Sequence, residues 1–172
     1  GPGNKTWNDP ALPPTKFDPA RARQLLLAAG LQDSNNDGIL ELRHGRPLEI
    51  LVLTSRGNTR RERMTQIIKD NLSKVGLLVS TQSLDTRDLI HRIATTFEYE
   101  AMLFGFTTTD VTPDIQADLW LSSGSNHFWY PKQSKPATTW EGQIDSLTIE
   151  LVRTQDTALR QKLFFQIQEI WN

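Results

Sequence analysis

Apolar residues recur along this chain with two periods, and the switches between them mark out its elements. Ala22, Leu25, Leu26 and Ala29 return at helical spacing between Asp18-Pro19 and Gly30. Asp is a favoured N-cap, Pro fits the first helical position and Gly suits a helix end, so a helix with one apolar face is predicted there. Residues 48–54 (LEILVLT) are almost continuously apolar, the pattern of a strand covered on both faces. From about Thr59 to Val75 the period is helical again, with Met64, Ile67, Ile68, Leu72 and Val75 as the predicted buried face and Gly76 as the stop. A second strand is predicted over 77–81 and a third over 99–105, with a helix between them capped by Asp85 and carrying Leu89, Ile90 and Ile93. Residues 1–17, rich in Pro, Asn and Gly, predict an extended lead-in, leaving 18–172 as a single lobe.

Strands alternating with helices predict an α/β fold with parallel pairing and right-handed crossovers. In open sheets of that kind, ligands bind beyond the carboxyl ends of the strands, where the chain order reverses. A spatial order of 2-1-3 puts the reversal between the first and third strands, whose following loops hold Ser55 to Asn58 and Phe106 to Thr112. The second loop belongs to the stretch around which the chain is organised, YEAMLFGFTTTDVTPDIQADLWLSSGSN (99–126). An apolar strand ends at Gly105, a hydroxyl-rich loop follows through Thr107, Thr109 and Asp110, and Pro113 opens a short helix carrying Trp120. A second loop of small residues ends at Asn126. Such a rim of hydrogen-bonding groups and aromatics suits a small-molecule site. It equally describes an ordinary strand–loop–helix connection, with Asp110 a solvated acid and Thr112 an N-cap.

Further along, Thr138 and Glu141 form a capping-box pattern before a helix with Ile144, Leu147 and Leu151 on one face. Asp156 caps a last helix carrying Leu159, Leu163, Ile167 and Ile170. Upstream, Asp33-Ser34-Asn35-Asn36-Asp37-Gly38 matches the first half of a calcium loop, but position twelve is His44 where a bidentate Glu belongs. A turn held by Asn and Asp side chains is therefore the expected structure.

Composition narrows the functional classes. A net charge of -1 gives no electrostatic basis for binding nucleic acid. The absence of cysteine excludes disulfides, thiolate metal sites and cysteine nucleophiles. No G-x-G-x-x-G, phosphate loop or HExxH occurs, and Ser122, Ser123 and Ser125 lack the nucleophile-elbow pattern. His44, His91 and His127 show no metal-ligand spacing, and His91 falls on a charged, solvent-facing side of its helix. The expectation is a protein that is not an enzyme and carries no cofactor. Trp120, Trp129, Trp140 and Trp171 concentrate the aromatic surface in the last third, where it serves either ligand stacking or packing.

In their order and spacing, FDPARARQLLLAAGL with the Asp/Asn/Gly loop, PLEILVLTSRGNTRRERMTQIIKDNLSKVGLLV, the 99–126 stretch and the closing helical pair are distinctive. Together they resemble the family 5 extracellular solute-binding proteins, the peptide, nickel and opine receptors of bacterial ABC importers. The resemblance runs from Phe17 onward. It implies a type II periplasmic-binding-protein-like lobe, in three layers with a mainly parallel central sheet flanked by helices, and most of the second lobe of a longer, two-lobed receptor. It further implies hinge closure on an oligopeptide, delivery to a membrane ABC permease, a monomer, and a periplasmic or extracellular location with or without a lipid anchor. Peptide-binding relatives carry Gly-Trp after the third strand, then an Asp for the peptide amine, then an acidic residue and Pro. Here Gly105 and Pro113 match, Phe106 and Thr112 replace the Trp and the acid, and Thr109 falls on the amine-binding position with Asp110 one residue late. A sugar or modified peptide is the alternative ligand; a small hydrolase and a protein-interaction module are the alternative functions. The ligand-facing set this implies is Ser55, Asn58, Phe106, Thr107, Thr109, Asp110, Trp120, Asn126 and Trp129.

Overall fold

Helix α1 (Pro19–Ala28) starts where its sequence sets it: the Asp18 carboxylate accepts from the Arg21 N–H at 2.8 Å, and Gly30 takes φ 91 just past the end. The computed structural model describes residues 4–105 and 112–172. The chain divides into two units, one of Lys16–Phe106 and one of Gly1–Thr15 with Thr107–Asn172. Phe106, Thr107, Thr109 and Asp110 of the expected site lie outside the described residues.

In the first unit a short antiparallel pair, β1 (Glu41–Leu42) and β2 (Arg46–Pro47), precedes the main sheet. Then come β3 (Glu49–Ser55), α2 (Thr59–Ser73), β4 (Leu78–Leu84), α3 (Thr86–His91) and β5 (Ala101–Leu103). Both β4 and β5 pair parallel with β3, giving the order β4-β3-β5. This is the 2-1-3 arrangement on which the expected reversal between the first and third strands depends. The middle place belongs to β3, in which Leu53 is fully buried and Val52 nearly so. Val52, Val75, Leu77 and Val79 form the core, with Ala22 and Leu26 of α1 packed against it. Each such side chain contributes roughly 1.5–3 kcal/mol on burial.

The helix faces differ in part from expectation. On α2, Met64 and Ile67 are exposed and Thr65 is buried. The inward row runs through Arg61, Thr65, Ile68 and Leu72, and the Thr65 hydroxyl satisfies itself on the Arg61 carbonyl at 2.8 Å. Leu25 and Ile90 are likewise exposed, whereas Leu89 and Ile93 are buried as predicted. Asp85 begins α3 without a side-chain cap bond; its carboxylate turns instead to Arg56 at 3.5 Å. Thr112 likewise makes no side-chain cap bond to the turn that follows it.

The second unit is helical. A 3-10 turn, Pro113–Gln116, leads into α4 (Ala117–Trp120), and α5 (Thr139–Arg153) and α6 (Thr157–Trp171) follow. The Thr138–Glu141 capping box forms, and Asp156 accepts from the N–H groups of Ala158 and Leu159. Ile144, Leu151, Leu163 and Ile167 make the core between α5 and α6. The lead-in forms no helix or strand among its described residues, yet it is packed. Trp7 is buried with its ring edge-on to Phe164, and Gln168 accepts from the Asp9 N–H while donating to the Trp7 carbonyl.

Candidate functional site

The carboxyl ends of β3 and β5 open onto a pocket of about 560 Å³ lined by Ser55, Arg56, Asn58, Arg60, Arg61 and Phe104, among others. Its position follows from topology, since β3 has a parallel neighbour on each side and the chain order reverses there. Its chemistry follows from the seven residues after Thr54, of which three are arginine. Helix α2 begins at this rim. Asn58 caps it, its side-chain oxygen accepting from the Arg61 N–H at 3.1 Å, and Glu62 accepts from the Gly57 N–H at 3.1 Å. The positive end of the helix therefore faces the same opening as the guanidinium groups.

The three arginines are held differently. Arg61 is half-buried and donates to the Ser55 hydroxyl at 3.2 Å and to the Gly105 carbonyl at 3.3 Å, with its guanidinium carbon 5.5 Å from the centre of the Phe104 ring. Arg56 is exposed and reaches Asp85 and the Ser83 carbonyl only at 3.4–3.5 Å. Arg60 is exposed on the first turn of α2 and makes no hydrogen bond or ion pair among the described residues. The arrangement can receive an anionic group. Ser55, the hydroxyl closest to the sheet, faces Arg61 rather than a general base.

Of the expected residues, Ser55 and Asn58 meet in this pocket. Trp120, Asn126 and Trp129 belong to the helical unit. There Trp120 packs edge-on against Phe164 and Trp171, while the Trp129 ring lies 3.8 Å from His127 and 4.9 Å from Trp171. Arg56 lies within the Ser55–Asn58 loop expected to line this wall, whereas Arg60, Arg61 and Phe104 escaped the sequence reading, although the run of arginines at a strand-to-helix junction was its available signal.

The loop after α1 is a turn of the expected kind. Asp33 accepts from the N–H groups of Asp37 and Gly38, Asp37 from that of Ile39, and the buried Glu41 from that of Ser34. The carboxylates of Asp33, Asp37 and Glu41 come within 4.8 Å of one another. Asp33→Ala removes two acceptor contacts and is expected to lower stability by about 1–2 kcal/mol, whereas Asp33→Asn, which keeps one oxygen, loses less. Equal losses for the two in a urea titration would contradict this.

Comparison with known proteins places these features. The profile for the bacterial extracellular solute-binding proteins, family 5 Middle, matches residues 1–128. The oligopeptide-binding protein AppA of Bacillus subtilis is 31% identical over 133 residues, covering 73% of this chain and 24% of that protein. The di/tripeptide-binding protein 3 of Pseudomonas aeruginosa is 28% identical over 168 residues, or 95% of this chain and 28% of its relative. In three dimensions the chain is similar to AppA of Bacillus subtilis in complex with a nonapeptide. The TM-score is 0.79 at 28% identity, covering 99% of this chain and 33% of that one. The fold is that of type II periplasmic binding proteins, and the chain spans about a quarter to a third of the length of these relatives. Among the described residues no helix is long and apolar enough to cross a membrane.

Proposed function

Because the chain belongs to the family 5 bacterial extracellular solute-binding proteins, we propose that it forms part of the second lobe of a two-lobed oligopeptide receptor. The receptor closes on its ligand and delivers it to an ABC permease in the membrane. The observation that carries this reading is the arginine-lined pocket at the carboxyl ends of β3 and β5. Arg60 and Arg56 are the groups free to turn toward a ligand, and a peptide offers them a carboxylate, at its C-terminus or on an acidic side chain. Asn58 completes that wall. The receptor works by binding and not by turnover: Ser55, the hydroxyl at the base of the pocket, is engaged by a guanidinium that cannot take a proton from it. The protein acts outside the cytoplasm and as a monomer.

Native mass spectrometry of the full-length protein, purified without added ligand and then mildly denatured, tests the reading. The expected result is release of a family of short peptides. Paired charge reversal, Arg56→Glu with Arg60→Glu, is expected to weaken peptide binding tenfold to a hundredfold and to flatten its salt dependence. Release of a sugar or another compound lacking an acidic group, or reversal without effect on affinity, would overturn the peptide assignment.

A further inference from the structure

The β3–β5 ladder stops at the pair Thr54 and Leu103, where the Thr54 hydroxyl adds a bond to the Leu103 carbonyl at 3.1 Å. One step further lie Ser55 and Phe104, at the rim of the pocket and beyond the last register pair of the two strands. Arg61 stands there. One amino group of its guanidinium donates to the Ser55 hydroxyl at the end of β3, and the other donates to the Gly105 carbonyl just past β5. The Phe104 ring lies beneath it. Gly105 contributes by what it lacks: a Cβ at that position would come 3.0 Å from the same guanidinium nitrogen. A planar fork with two fixed donor directions is what bridging two strand ends requires, and a lysine ammonium can satisfy one of them at a time.

We infer that Arg61 is a positioning residue, a side-chain rung that links the two strands beyond their last register pair and fixes the separation of the strand ends at the ligand pocket. Its guanidinium is spent on Ser55 and Gly105, which leaves Arg56 and Arg60 to meet the ligand. The inference rests on the reading of this pocket as a ligand site, but the spacing of the strand ends can be measured without any ligand.

The experiment uses the full-length protein with Arg61→Lys, Arg61→Met, Ser55→Ala and the Ser55→Ala/Arg61→Met pair. Calorimetric titration with trialanine and with its variant ending in glutamate, at a temperature where circular dichroism shows every variant folded, gives the affinities. Crystal structures without ligand give the Ser55–Gly105 separation. Arg61→Met is expected to weaken binding of both probes about tenfold and to widen the separation, and Arg61→Lys to weaken it about threefold with an unchanged salt slope, since its charge is kept. Ser55→Ala is expected to add nothing once Arg61 is gone, because both changes break the same contact. If Arg61→Lys binds like the unaltered protein and the strand ends of Arg61→Met do not move, the positioning role is refuted while the peptide reading stands. If Arg61→Met flattens the salt slope as much as Arg60→Ala does, Arg61 touches the ligand directly and the inference also fails. If the unaltered protein binds neither probe, the peptide reading falls, and the separation in Arg61→Met alone decides for or against the rung.

Discussion

Glu141→Ala is expected to cost about 3–4 kcal/mol of unfolding free energy, the largest loss of any single charged residue in the helical unit. Glu141 is 4% exposed, yet one of its oxygens accepts from the N–H groups of Ala137 and Thr138 at 2.8 Å, from the Thr138 hydroxyl at 3.0 Å and from Gln133 at 3.3 Å. Its other oxygen faces the buried His127 ring nitrogen at 3.7 Å. Alanine would remove the bonds to the exposed Ala137 and Thr138 and leave the buried Gln133 amide and His127 ring nitrogen facing no carboxylate, and orphaned buried groups cost more than the lost bonds themselves. Glu141→Gln keeps one acceptor oxygen and is expected to lose about half as much. All five tryptophans lie in this unit, so their fluorescence during a urea titration reports on it directly. A loss below about 1 kcal/mol for Glu141→Ala would show that the network carries little of the unit's stability.

The same residue gives the unit a pH signature. Burial pushes the Glu141 carboxyl upward, but hydrogen bonds from Thr138, Gln133 and the Ala137 and Thr138 backbone outweigh it and hold the group below its ordinary value of 4.5. The folded state therefore binds this proton less readily than the unfolded chain. The resulting stabilisation is fully present above 4.5 and is lost as pH falls through the lower, folded value. The stability gap between the unaltered protein and Glu141→Gln should narrow across that acid interval.

Much of the fold could be read from local chemistry. Asp18, Thr138 and Asp156 announce helix starts by side chains acting over two or three residues, and the continuous apolar run of β3 marks it as the middle strand. What escaped depends on contacts between residues distant in the chain. Met64 and Ile67 read as core because they are apolar, while Thr65 lies inward because it can return its hydroxyl to the Arg61 carbonyl. The Pro-rich lead-in shows no periodicity, and only the fold brings Trp7 against Phe164. At the site, Ser55 and Asn58 were foreseeable from topology. Arg61 was not, because an arginine in the first turn of a helix reads as solvated charge until sheet register places the Gly105 carbonyl beside it.

Gly124→Ala is expected to destabilise the helical unit by about 2–3 kcal/mol, near the upper end for overpacking. The loop of small residues after α4 looked from sequence like a ligand loop, and its own packing is what forbids a side chain there. A Cβ at 124 would lie 1.9 Å from the Asp118 carbonyl oxygen and 3.0 Å from that of Leu121. Both are backbone atoms, so relief requires moving the end of α4 and not merely turning a side chain. That end is tied down. Asp118 accepts from the Ser125 N–H at 3.0 Å and from its hydroxyl, and Asp145 accepts from the Ser122 N–H at 2.7 Å. The Gly124 carbonyl in turn accepts from the N–H of the buried His127 at 3.2 Å, so a displaced loop carries its strain toward the His127–Glu141 pair. Ser123→Ala, one residue away and exposed, should stay within about 0.5 kcal/mol and serves as the control. Should Gly124→Ala unfold at the same urea concentration as Ser123→Ala, the loop gives way more easily than its hydrogen bonds imply, and its close approach to α4 is not what holds Asn126 and His127 in place.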